Sequence, residues 1–314
     1  MPVYPSTVAH ASCASRGCAC HARVPRYPSD LTDAQWVVLE PEARAAMAAL
    51  VRASGRPMVH DLRAMVDAVG YVTRYGIEWR ALPVDFPPHE AAYAFFKRWS
   101  GRGLPLRLVD ALRARVRIAH GRAPLPTAGS VDSQSVKAAD TVATSSRGYD
   151  GGKKINGRKR HIAVDTLGLL LAVTVTPASV QDRDGAHPLL ALLRERFSTI
   201  TLVWADGGYA GRLVIWAKSA LHLAVTVVKR SDDTTGFVVL PRRWVVERTF
   251  GWLLRHRRLV RDYERRPDHH EAMVLWATVS IMTRQLTRQL AGEPLPARWG
   301  RPRQSPSPPT AQAA

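Results

Sequence analysis

Apolar residues recur at helical spacing between residues 28 and 122 and at every second position soon afterwards. In "SDLTDAQWVVLEPEARAAMAAL", Asp30 or Thr32 is placed to cap a helix, and Trp36 and Leu39 begin its apolar stripe. "HDLRAMVDAVGYVTRYG" predicts a second helix, with Leu62, Met65, Val66, Val69 and Val72 along one face. "IEWRALPVDFPP" is a turn-rich connection. "HEAAYAFFKRWSGRG" predicts a third helix, with Tyr93, Phe96 and Trp99 or Ser100 on one side and Lys97 and Arg98 at the other. A fourth helix covers about 105 to 120.

"GRAPLPTAG" is a Pro/Gly linker and marks a boundary. Beyond it "SVDSQSV" predicts a strand, and "KRHIAVDTLGLLLAVTVTPAS" a hairpin turning at "DTLG". "DGAHPLLALLRERF" is a helix, "TITLVWADGG" an apolar strand closed by glycines, "RLVIWAKSAL" a helix and "LAVTVV" a strand. Two late helices follow, one starting near Pro241 and one over "DHHEAMVLWATVSIMTRQLTRQL". The expected fold class is therefore α/β, a mixed sheet flanked by helices and preceded by an all-helical domain. The expected divisions are a loose leader 1–27, a helical domain 28–122, an α/β domain 123–290 and a disordered tail 291–314.

Charge narrows the function. The chain has 314 residues, a formal charge of +19 and a pI near 10.8. Such an excess predicts an anionic partner, with nucleic acid ahead of a membrane surface. Apolar residues, at 46%, suffice for a large core, yet no run of about 20 of them predicts a membrane span. The start of the chain carries no secretion pattern. Cys13, Cys18 and Cys20 stand near His21, but their spacing fits no common zinc pattern.

Three acids stand out from this basic background. Asp132 interrupts a strand, where acids are depleted; a solvated edge is the plain alternative. Asp206 ends an apolar strand just before Gly207 and Gly208, at the strand end where open α/β sheets bind ligands. Glu247 lies in "VVERTFGWLLRHRR", where Arg243, Phe250, Gly251, Leu254 and Arg258 share its helical face. An ion pair between Arg243 and Glu247 is the plain alternative there. Asp165, Asp182, Asp184, Asp232 and Asp233 read as turn, helix-start or loop acids. Three carboxylates on separate elements suit Mg²⁺, and two such ions serve phosphoryl transfer. The run "GGKKINGRKRH" places Lys153, Lys154, Arg158, Lys159 and Arg160 beside the Asp132 strand, as a DNA-holding hairpin or a solubilising loop.

"VDSQSVKAA", "RGYDGGKKINGRKRHIAVDTLGLLLAVTVTPASVQDRDGA", "VWADGGYAG" and "RRWVVERTFGWLLRHRRLVRDYE" resemble a DDE transposase of bacterial insertion sequences, in the IS-five group. "LTDAQWVVLEP", "GRPMVHDLRAMVDAVGYVTRYGIEWRALPVDFPP" and "YAFFKRW" resemble the N-terminal domain of that group, so the likeness spans about residues 30 to 290. It implies an RNase H-like core using two Mg²⁺ ions, or Mn²⁺, with Asp132, Asp206 and Glu247 as catalytic metal ligands. It also implies cleavage at element ends, strand transfer into target DNA, and a homo-oligomer assembled on DNA in the bacterial cytoplasm, at the nucleoid. Arg243 matches a basic residue four before the Glu. Leu240 and Leu254 stand where related groups carry a Tyr and a Lys or Arg, leaving Arg255 or Arg258 for the second role. Helix 88–100, with Lys97 and Arg98, is the expected groove reader. The rival readings are a metal nuclease without strand transfer and a DNA-binding derivative that has lost catalysis.

Overall fold

The computed structural model describes residues 23–50, 58–228 and 241–293, with backbone alone for 241–243. The cysteines near the start, Asp232, Asp233, Leu240 and the residues from 294 onward lie outside the described residues.

Four helices come first: α1 (Asp33–Leu50), α2 (Leu62–Tyr75), α3 (His89–Gly101) and α4 (Leu104–Ala119). Of the two capping candidates, Thr32 takes the role. Its hydroxyl accepts from Gln35 N and its own amide donates to Gln35 Oε1, both at 3.2 Å, a reciprocal cap. Asp30 is turned the other way, accepting from the amides of Arg26 and Tyr27 and pairing with Arg23 at 2.8 Å. Asp61 caps α2 by accepting from Ala64 N at 2.8 Å.

The strands are β1 (Ala128–Lys137), β2 (Gly148–Asp150), β3 (Ile155–Asp165), β4 (Leu170–Pro177), β5 (Leu202–Ala205) and β6 (Ala224–Val227). They form one mixed sheet. β3 lies antiparallel between β1 and β4, while β1, β5 and β6 run parallel. The short β2 pairs with the start of β3 and is too brief to show as an alternation in sequence. The β3–β4 turn is set by Asp165, whose carboxylate accepts from the amides of Leu167 and Leu169, each at 2.9 Å. Gly168 follows at φ 77°, and a side chain there would meet Thr249 Oγ1 at 3.0 Å and Val245 O at 3.1 Å.

Helices cover both faces. On one, α5 (Asp182–Arg196) and α6 (Arg212–Leu221) bury Leu189, Leu193 and Leu213 against Val131, Ala163 and Val203. On the other, α7 (Pro241–Leu253) and α8 (Pro267–Leu290) bury Val246, Phe250, Leu253 and Met273 against Ile162, Val164 and Leu170. That second core continues without a break into Leu39 of α1, Val69 of α2, Phe96 of α3 and Leu108 of α4. The sequence suggests two units; the structure gives them one apolar interior on this side. Among the described residues no helix is long and apolar enough to cross a membrane.

A buried ion pair fastens α4 to the hairpin. Arg117 donates to Asp165, and both side chains are almost fully shielded from water. Removing one partner strands a buried charge. Arg117→Ala should therefore destabilise the chain by roughly 3–5 kcal/mol, read as a lower urea midpoint in a single transition. A midpoint within error of wild type would count against this fastening.

Candidate active site

β1 and β5 pair in parallel through Ser130 and Trp204. Two residues further along each chain come Asp132 and Asp206, at the same level of neighbouring strands. Both are half-buried. The Asp132 carboxylate accepts from Ser133 N at 2.7 Å. Asp206 caps the short turn after β5, accepting from Gly208 N at 2.8 Å. This is the carboxyl end of β5, level with the middle of the longer β1, and open α/β sheets place their ligands at such strand ends.

Glu247 sits half-buried on α7, which packs over β1, β3 and β5. Paired residues of antiparallel strands share a face, so Asp132, opposite Ile162, and Gln134, opposite Arg160, look toward α7. Phe250, one turn after Glu247, lies 5.7 Å from the Arg160 guanidinium. Arg248 and Thr249 hold the helix at the β3–β4 turn, donating to Leu167 O at 2.8 Å and Gly168 O at 2.6 Å. Glu247 thus belongs to the helix covering the Asp132 face. The Arg243 side chain lies outside the described residues.

Hard oxygen donors on adjacent strands suit Mg²⁺, which keeps several waters and needs only one or two protein carboxylates. Tyr209, fully buried next to the pair, adds a hydroxyl with no hydrogen-bond partner among the described residues. Among the described residues no group of three His, Cys, Asp or Glu side chains is placed to hold a metal ion. The strand-end pair is what the fold itself brings together.

The basic residues divide in a way the sequence does not reveal. Lys153 and Lys154, at the β2–β3 tip, are exposed, as are Lys97 and Arg98 on α3 and Arg255 beyond α7. Arg158, Lys159 and Arg160 are not a DNA-facing run. Arg158 is fully buried and pairs with Asp262 at 3.0 Å. Arg160, also fully buried, donates to Gln134 and to Leu259 O. Lys159 turns to the opposite face and pairs with Asp182 at 2.8 Å. A run of basic residues in a central strand sends alternate side chains into two interiors, so composition alone misplaces them. Arg258 is corrected too. α7 stops at Leu253, so the stripe through Glu247 does not reach it. Arg258 is buried, held by Glu264 at 2.7 Å and Ile77 O at 2.9 Å.

One acid that reads as a helix start has a second position in the fold. Asp182 opens α5 and accepts from Ser133 Oγ at 2.7 Å, next in sequence to Asp132. Burial opposes its ionisation, but hydrogen bonds from Lys159 and Ser133 outweigh that and hold its carboxyl below the ordinary value. Only the β1–β3 register, which is not visible in spacing, brings Lys159 to it.

The fold thus sets Asp132 and Asp206 level on neighbouring parallel strands, with the helix that carries Glu247 packed over the same sheet. A family model described as Transposase DDE domain matches residues 123–282. A second, described as Putative transposase of IS4/5 family, matches residues 31–109. The chain belongs to the DDE transposases of insertion sequences. It is similar to a protein of Burkholderia cepacia described as a putative transposase for insertion sequence element IS402, at 34% identity over 125 residues. That match covers 38% of this chain and 59% of the relative.

Two buried histidines give the protein a pH dependence. Burial lowers His161, beneath α5, and His256, after α7, to about 4 each. Between the ordinary value of about 6.5 and about 4, the unfolded chain takes up protons that the folded one refuses. Stability contributed by these rings is present above pH ~6.5 and lost as pH falls toward ~4, by up to about 3 kcal/mol each. Asp67 acts oppositely: burial raises it to about 7, so its contribution is lost as pH rises. The check is therefore a difference. Tm measured from pH 7 to 4 should fall less steeply in His256→Gln than in wild type, and identical slopes would contradict the assignment.

Proposed function

We propose that this transposase cuts DNA at the ends of its element and joins them to target DNA, using Asp132, Asp206 and Glu247. The observation that carries this reading is the placement of Asp132, in mid-β1, level with Asp206 at the carboxyl end of β5, just past the last paired residues of the two parallel strands. Those three residues would hold two Mg²⁺ ions, with Mn²⁺ as a substitute. When bound, the ions supply activation of the attacking oxygen and stabilisation of the leaving oxygen.

The chain's own groups do the positioning. Lys153, Lys154 and Arg255 are exposed and serve as phosphate contacts, together with Arg243, four residues before Glu247 in the sequence. Lys97 and Arg98 project from α3, whose opposite side is fixed by buried Phe95, Phe96 and Trp99, so this helix presents its basic edge to a groove. In the first reaction a water oxygen bonds to phosphorus, the bond from phosphorus to the 3′ oxygen breaks, and that oxygen leaves as a 3′-hydroxyl. In the second, the 3′-hydroxyl attacks a target phosphate and displaces another 3′ oxygen, while its proton passes to solvent. Two element ends must meet in one reaction, so the working form is a homo-oligomer on DNA.

Asp132→Asn, Asp206→Asn and Glu247→Gln should each lower end cleavage by more than about 100-fold while leaving end-DNA affinity near wild type. Cleavage retained in Glu247→Gln would remove the glutamate from the site. Cleavage by wild type without any joined product would favour a nuclease. In a salt titration, Lys153→Ala and Lys154→Ala should each flatten the slope of log affinity against log salt by roughly 0.9. An unchanged slope would return the β2–β3 tip to the role of a solubilising loop.

A further inference from the structure

Asp182 and Asp206 approach the same point in space. A side chain built at Gly208 would lie 3.1 Å from Asp206 Oδ1 and 4.0 Å from Asp182 Oδ2. Asp182 is also tied to β1 through the Ser133 hydroxyl, one residue from Asp132. It stands where the middle of β1 and the end of β5 meet the start of α5.

Two independent features show that this corner is more than a helix start. The first is Tyr209. Its ring is fully buried in the α5–α6 core, and its hydroxyl has no hydrogen-bond partner among the described residues. Ser133 lies beside it and donates its own hydroxyl hydrogen bond to Asp182. Burial first, and then the nearby charges of Asp132 and Asp182, push the Tyr209 hydroxyl well above its ordinary value. A phenol hydroxyl is a donor, and this one sits among acidic side chains. An unused buried donor is costly, and a water carried into this corner would use it.

The second is Lys159. Its ammonium, buried under α5, reaches Asp182 at 2.8 Å, Val180 O at 2.8 Å and Asp150 at 3.6 Å. Ser135 also donates to Asp150. The ammonium therefore has other partners besides Asp182 and balances the charge of a carboxylate placed next to two more. The close seat of α5 makes this possible. A side chain at Gly185 would collide with the His161 ring at 2.1 Å, so glycine lets the helix start descend onto the sheet.

The geometry points to Asp182 as a fourth carboxylate of the cation site, accepting from water bound to the ion that Asp132 and Asp206 hold, with Ser133 and Lys159 fixing its position. This rests on the proposed function and adds to it a residue outside the Asp132, Asp206 and Glu247 set. Asp182 acts through a water, so its removal should weaken the ion without eliminating binding.

The test is Mn²⁺ binding to the full chain, followed by electron paramagnetic resonance of the free ion, with end-DNA affinity and Tm measured on the same preparations. Asp182→Asn should weaken Mn²⁺ binding at least about 10-fold, the scale found for groups behind metal ligands, and leave DNA affinity unchanged. Asp182→Asn leaves the Lys159 charge without its nearest partner and is prone to misfold. The double variant Lys159→Met with Asp182→Asn removes both charges and should show the same loss. Mn²⁺ binding at wild-type strength in the folded double variant would overturn the inference, reducing Asp182 to a partner for Lys159. Asp132→Asn separates the two levels. If it abolishes Mn²⁺ binding while the Asp182 variants do not alter it, the inference fails and the site stands. If Mn²⁺ binds equally to wild type and Asp132→Asn, or to neither, the cation site itself fails and the inference with it.

Discussion

A guanidinium shut away from water needs a protein acceptor for each of its five N–H groups. Arg158 meets that condition in full. It donates to Ser146 through both O and Oγ, to the Asp262 carboxylate, and to the carbonyls of Glu264 and Arg265. One side chain of β3 thereby gathers the turn after β1 and the segment between α7 and α8. Asp262 extends the grip. It pairs with His270 of α8 at 2.9 Å, and its backbone exchanges hydrogen bonds with Lys137 O and Ala139 N at the end of β1. The far end of α7 is thus anchored to the strand that carries Asp132. The Thr249 and Arg248 contacts anchor its flank at the β3–β4 turn. Such a buried pair adds little net stability; its effect is to give α7 one place to lie.

The same constraint alters the meaning of the net charge. A value of +19 describes the chain, not the surface. Arg113, Arg117, Arg158, Arg160, Lys159 and Arg258 are buried, and most neutralise acids inside the protein. The charge left outside includes Lys97 and Arg98 on α3, Lys153 and Lys154 at the β2–β3 tip, and Arg255 beyond α7. A polar interior of this kind also accounts for the lowered Arg113 and Arg160, where burial is the leading cause.

Much of the architecture was legible because it rests on local rules. The helical stripe through Leu62, Met65, Val69 and Val72, the hairpin turning at Asp165, and the strand ending at Asp206 all follow from periodicity and turn chemistry. The sequence reads Asp132 as an acid inside a strand and Asp206 as one at a strand end, and only the resemblance to a known family joins the two. Pairing supplied what spacing does not contain. Arg158 and Arg160 look like surface cations until β3 is seen between two other strands. Asp182 looks like a helix cap until Ser133 and Lys159 arrive from strands well separated from it in the chain. Arg258 was misjudged for a smaller reason: the stripe was extended past Leu253, where the last turn tightens and the helix ends. The apolar continuity between α1–α4 and α8 was equally hidden, since each helix shows its stripe without showing what covers it.

That continuity determines what an interrupted copy of the coding frame can produce. A product stopping before Pro267 lacks α8, and Val69, Phe96, Leu104 and Leu108 lose part of the interior they share with Met273, Ala277 and Met282. The four N-terminal helices then keep their polar faces but expose an apolar underside, a state prone to aggregation and proteolysis. Chains truncated before α8 would therefore be cleared or aggregate rather than accumulate beside the full-length protein.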